Sequence, residues 1–167
     1  MRHLRITLGK RGVSCVARLL DAEAPQTCDA VWNALPQSGD AWHGTYCSNE
    51  VYALLPPFDA RPGMEHPTIV PAFGDVVYWD VPIAHLPSRI RDDPFRGPLG
   101  FESADRFVDI AIFYGRNNYL YNPASGPMPG NVFATIVDGL DEMSDACRDV
   151  WRQGSVGERL VFERHED

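Results

Sequence analysis

At 167 residues the chain is long enough to bury one sizeable core and short for two. Fifteen Lys and Arg against 23 Asp and Glu leave a net charge of −8, which argues against nucleic-acid backbones and anionic membrane surfaces as partners. A hydrophobic share of 44% is ordinary for a globular protein and argues against disorder, and no apolar run approaches the roughly 20 residues of a membrane-spanning helix.

In chain order, His3 to Leu8 alternates polar and apolar, Gly9-Lys10-Arg11-Gly12 turns, and Val13 to Leu20 returns, which predicts a hairpin. Basic and apolar residues alternate at Arg2, Leu4, Arg5 and Ile6 without a continuous apolar core, so the expectation is a cytoplasmic protein with no signal peptide. Pro25 opens a helix predicted over 25–36, with Cys28, Val31, Trp32 and Leu35 on one face and Pro36 as the stop. Trp42 to Cys47 and Glu50 to Leu55 read as strands pairing about Ser48-Asn49, which sets His43 opposite a residue near 54. Pro56-Pro57 and Arg61-Pro62-Gly63 impose a loop.

Gly74 to Trp79 predicts a strand and Ile83 to Leu86 a short one. Residues 87–106 are a long excursion rich in Pro, Arg and Asp, whose opposite charges largely offset each other. Phe107 to Tyr114 is a further strand, and a second long loop, 115–130, follows. Val132 to Val137, a turn at Asp138-Gly139, and Leu140, Met143, Cys147, Val150 and Trp151 at helical steps predict strand, turn and a helix over 139–153. Its acidic residues come first and its basic ones last, as the helix dipole favours, and Gly154 ends it. Leu160 to Phe162 is the final strand. About eight strands and two widely separated helices favour one mainly β domain over 1–167, a closed antiparallel barrel with a helix over each mouth. Cys15, Cys28, Cys47 and Cys147 are scattered without a close pair, which gives no zinc or redox motif and no expected cofactor.

Three segments resemble the cyclophilins: "EAPQTCDAVWNAL" at 23–35, "VYALLPPF" at 51–58 and "NVFATIVDGLDEM" at 131–143. The match is closer to a group of small, functionally unassigned prokaryotic proteins with cyclophilin-like barrels. The resemblance implies the same barrel, with a pocket on the barrel wall. It places Ala53 where cyclophilins carry the catalytic arginine, Phe58 at the apolar floor, Arg61 near a pocket glutamine, and Gly130 or Asn131 in place of a histidine. An arginine is needed there because its fixed guanidinium bonds the twisting amide. The implied protein is therefore not an efficient prolyl isomerase, the alternative being an isomerase that draws its charge from Arg61.

Three constellations carry possible chemistry. His43 with Glu50 and Tyr52 reads as a base and its orienting acid, or as an ordinary polar hairpin. Asp80 and His85, joined to His43 and Glu50, would make an acid-base or metal-dependent enzyme, although their spacing matches no ligand motif and no metal is expected. Tyr114 to Asn118 with Pro129-Gly130-Asn131 suits either turn geometry or recognition of a polar ligand. The reading that joins them is a wall pocket for a small polar molecule or short peptide, with the question of catalysis left open. Its ligand-binding residues are His43, Glu50, Tyr52, Phe58, Tyr114, Arg116 and Asn131, and the 115–130 loop is a lid. Trp42, Tyr119 and Tyr121 are candidate anchors for a homo-oligomer.

Overall fold

A computed structural model describes residues 1–166. Its elements are β1 (His3–Leu8), β2 (Val13–Leu19), α1 (Pro25–Ala34), β3 (Gln37–His43), β4 (Glu50–Leu55), β5 (Pro67–Thr68) and β6 (Asp75–Pro82). A 3-10 turn (Ile83–His85) and the one-turn helix α2 (Ser88–Arg91) follow. Then come β7 (Arg106–Phe113), β8 (Tyr121–Asn122), β9 (Gly126–Pro127), β10 (Gly130–Asp138), α3 (Leu140–Gln153) and β11 (Arg159–His165).

Eight strands close in the order β2-β1-β11-β3-β4-β7-β6-β10, and β10 returns to β2. All of these pairings are antiparallel. Closure leaves no long edge to template aggregation. Inward side chains from every wall, Leu4, Ile6, Val51, Ile110, Phe133 and Phe162 among them, fill the interior. Cys28 and Val31 of α1 and Met143, Cys147 and Val150 of α3 join the same cluster, so both helices dock their apolar faces onto it. Trp151, predicted for that face, points outward and is 67% exposed. Gly139 starts α3 at φ 71°, and a Cβ there would fall 2.9 Å from the Ser14 carbonyl, so only glycine fits this turn.

A second apolar cluster lies outside the barrel, on the outer face of β4, β6 and β7. Tyr52, Leu54, Val77, Ala111 and Phe113 belong to it, covered by Leu86, Ile90, Phe101 and Leu120 from the two long excursions. All six residues of β4 are therefore buried, and β7 reads as a nearly continuous apolar run because both of its faces are covered.

Several boundaries differ from the sequence reading. The third strand runs from Gln37 to His43 rather than from Trp42 to Cys47, and His43 pairs with Val51 instead of a residue near 54. A six-residue loop, 44–49, intervenes, with Ser48 in the left-handed region, so the tight turn about Ser48-Asn49 does not form. The first helix stops at Ala34, and the chain enters β3 through a cis Leu35–Pro36 bond. Ile83 to Leu86 is a turn because Pro82, which has no N–H for a ladder, ends β6. No helix among the described residues is long and apolar enough to cross a membrane.

Candidate functional site

On the outer wall, register decides which side chains meet. Tyr52 of β4 lies opposite Ala111 of β7, and Leu54 lies opposite Asp109. Asp109 is flanked on its other side by Trp79 of β6. Alternation sends Glu50, Tyr52 and Leu54 outward and Val51, Ala53 and Leu55 into the barrel. The 83–104 excursion and the β8-β9 hairpin roof this wall, and between wall and roof is a cavity of about 110 Å³. Leu54, Trp79, Phe107 and Leu120 supply its apolar lining, and Glu50 and Asp109 bring carboxyl groups to it. A wider vestibule of about 560 Å³ continues outward past His85, Arg89 and Asn122.

The two carboxyl groups are in an unusual setting. Glu50 is only 7% exposed, and its Oε2 packs against Gly44, where any Cβ would overlap it. Burial pushes its carboxyl up to about 7, offset in part by the Cys47 thiol and by the Arg89 charge. Asp109 Oδ1 is sealed from solvent without a hydrogen-bond partner. Burial, then repulsion from Glu50, raises the Asp109 carboxyl well above the usual carboxylate range. Glu50 pairs with Phe113 and Leu54 with Asp109, so the two carboxyl groups are offset along the strands, and Glu50 acts on Asp109 through space. Burial raises the Tyr52 phenol as well, and Arg89 donates to its hydroxyl oxygen at 3.1 Å.

Of the expected ligand-binding residues, Glu50 and Tyr52 line this cavity and the other five do not; His85 of the acid-base set and Tyr121, a candidate anchor, line it as well. His43 and Tyr114 pair with each other, and Tyr114 belongs to the barrel interior. His43 Nδ1 lies 2.7 Å from the Gly44 carbonyl and so carries the proton, which leaves Nε2 to accept from the Tyr114 hydroxyl at 2.5 Å. Burial holds that imidazole below its ordinary range. Phe58 points into the barrel interior beside Tyr78. Asn131 is turned into a structural tie: its Oδ1 accepts from Glu65 N, and its Nδ2 donates to Thr27 Oγ1 and the Gly63 carbonyl. Arg116 is exposed on the surface, and its carbonyl accepts from Asn49.

Asp80 receives Arg106 at 2.7 Å and Arg61 at 3.4 Å, so Arg61 is engaged away from the wall cavity. Among the described residues no three His, Cys, Asp or Glu side chains converge as metal ligands, and the proposed set of His43, Glu50, Asp80 and His85 does not assemble. Trp42, read as an exposed anchor, is half-buried against the outer cluster. The 115–130 segment is tied down by Asn118, which donates to the Pro71 and Gly115 carbonyls, and by Leu120, which is buried in the roof.

Asp109 and Arg89 were missed by the sequence reading. Asp109 had a signal, being the one charge inside the apolar run 107–114. Arg89 had none, because its excursion holds several arginines and only the folded roof brings this one to Tyr52.

No curated protein matches the chain. Among solved structures, one of McbB in complex with tryptophan is similar, with a TM-score of 0.64 at 14% identity, a likeness of fold. The match covers 98% of this chain and 45% of that one, so the chain spans less than half the length of this relative. A family model described as "Protein of unknown function (DUF3830)" matches residues 6–162, and the chain belongs to that family.

Proposed function

We propose that the wall cavity binds a small organic cation, a primary amine attached to an apolar body. The observation that carries this is Glu50, 7% exposed, lining a largely apolar cavity that Asp109 also reaches from further along the wall. Burying the Glu50 carboxyl without a cation beside it is costly, and a bound ammonium offsets that cost. The apolar walls suit a ring or a branched aliphatic group, and the face of Trp79 adds an attraction for a cation. A cavity of about 110 Å³ is somewhat smaller than the roughly 150 Å³ that holds benzene, and it opens into the vestibule. The complex of the similarly folded McbB with tryptophan supports a small amine-bearing ligand on this architecture.

Calorimetric titration with 2-phenylethylamine tests the proposal, with 3-phenylpropionate and a neutral phenylalkanol as controls. The amine binds, more tightly at pH 8 than at pH 6, because it pairs with the ionised Glu50 carboxylate and burial has pushed that carboxyl up to about 7. Glu50→Gln weakens it tenfold or more. Equal binding of the neutral alcohol, or an unchanged affinity in the variant, overturns the proposal.

The same reading makes the chain a poor prolyl isomerase. Ala53 faces inward, and Tyr52 and Leu54 occupy the wall where an isomerase arginine would act. Arg89 reaches the wall from the roof and is bonded to Tyr52. A coupled peptide assay is expected to show no rate above the uncatalysed one, and cyclophilin-like turnover would refute this.

A further inference from the structure

The cation reading concerns the inner end of the site, and the outer end holds a group of the opposite sign. Arg89 lines both the inner cavity and the vestibule, standing where the two join. Its guanidinium donates to the neutral Tyr52 hydroxyl at 3.1 Å, and among the described residues no carboxylate lies within ion-pair distance of it. Arg96 of the same roof excursion reaches Glu102, whereas Arg89 shares with a few surface arginines the lack of an acidic partner but alone among them lines the cavity. A guanidinium left with a single neutral acceptor at the throat of a cavity is a site for an anion, because its planar fork fits a carboxylate with two parallel bonds. Glu50, more than nine-tenths buried and lining the same cavity, holds the opposite charge preference a short way inward. The Tyr52 hydroxyl, bonded to Arg89, belongs to a side chain that lines the same cavity as Glu50.

We infer that the ligand is a zwitterion of the α-amino-acid class. Its ammonium meets Glu50, its side chain fills the apolar part of the cavity, and its carboxylate takes Arg89 at the mouth of the vestibule. This rests on the cation reading above and adds the carboxylate. A ligand with both charges satisfies both ends at once, whereas an amine leaves Arg89 with a neutral partner and an acid leaves Glu50 buried without a cation.

The experiment is a matched titration of L-phenylalanine, 2-phenylethylamine and 3-phenylpropionate against the full chain and two variants, Arg89→Gln and Glu50→Gln. L-phenylalanine is expected to bind at least tenfold more tightly than 2-phenylethylamine. Arg89→Gln should erase that advantage, bringing phenylalanine to the affinity of the amine or below it, and Glu50→Gln should weaken both. Arg89 is exposed on a surface helix, so its substitution leaves the fold intact, and an unchanged thermal midpoint checks this. If the amine binds but phenylalanine gains nothing over it, or Arg89→Gln weakens both equally, the zwitterion inference fails and the cation reading stands. If neither amine-bearing ligand binds, or 3-phenylpropionate binds best, both fail.

Discussion

Glu50 is the residue on which the site turns, and its titration links binding to stability. Its carboxyl is raised from an ordinary 4.5 to about 7, chiefly by burial, so the folded state holds the proton more tightly than the unfolded chain. The resulting stability is fully present below about pH 4.5 and is lost as pH rises through about 7. A shift of this size corresponds to a loss on the order of 3 kcal/mol at most. Glu50→Gln keeps the shape and removes the ionisation. The variant should therefore lose less stability than the parent between pH 5 and pH 8 and be the more stable of the two at pH 8. Denaturant titrations across that range measure it, and parallel pH profiles would show that Glu50 is not the titrating group. The shift in Asp109 has the same sign, so some slope persists in the variant.

Among the elements, α1 shows how a helix borrows its cap from a distant loop. Its N-cap position is Ala24, which has no side chain able to accept from the first turn. Glu65 supplies the missing acceptor, taking Gln26 N and Thr27 N on its two carboxylate oxygens. Asn131 of β10 holds Glu65 and Thr27 together, so the helix start, the loop and the strand form one unit. Asn131→Ala removes three hydrogen bonds and strands the Gly63 carbonyl. The expected cost is about 2–3 kcal/mol of folding stability, with amine affinity unchanged. Urea unfolding beside the calorimetric titration checks both halves. A stable variant with weakened binding would instead return Asn131 to the ligand site, where residue type alone had put it.

The whole molecule depends on one late strand. β11 pairs with β1 on one side and β3 on the other, so the last strand in the chain completes the wall between two early ones. Its Leu160 and Phe162 are fully buried in the interior. Ending the chain at Glu158 would expose two long edges and open the core, and closure contacts this distant in sequence form only after much chain entropy has been spent. Such a truncation should give no cooperative thermal transition and should aggregate on expression. A soluble product with the parent's circular dichroism would show that the remaining strands close without it.

The barrel itself was legible in the sequence because its signals are local. Alternation in His3 to Leu8, the apolar run at Phe107 to Tyr114 and the three-and-four spacing of Leu140, Met143, Cys147 and Val150 each report on neighbours along the chain. Element type and the preference for closure follow from such periods. What they cannot carry is register, because sliding β3 along β4 keeps every local pattern while changing which side chains meet. Only the tertiary structure set His43 against Val51, turned Ala53 inward and Tyr52 outward, and placed Asp109 between Leu54 and Trp79. Glu50 and Tyr52 were recognised because their types suit a site, whereas Phe58 and Asn131, chosen on the same ground, were claimed by the core and by a loop tie. Arg89 sits 37 residues beyond Tyr52, and only the folded roof brings the two together. Local pattern therefore determined the barrel, and pairing across distant strands and the roof packed over them decided the site.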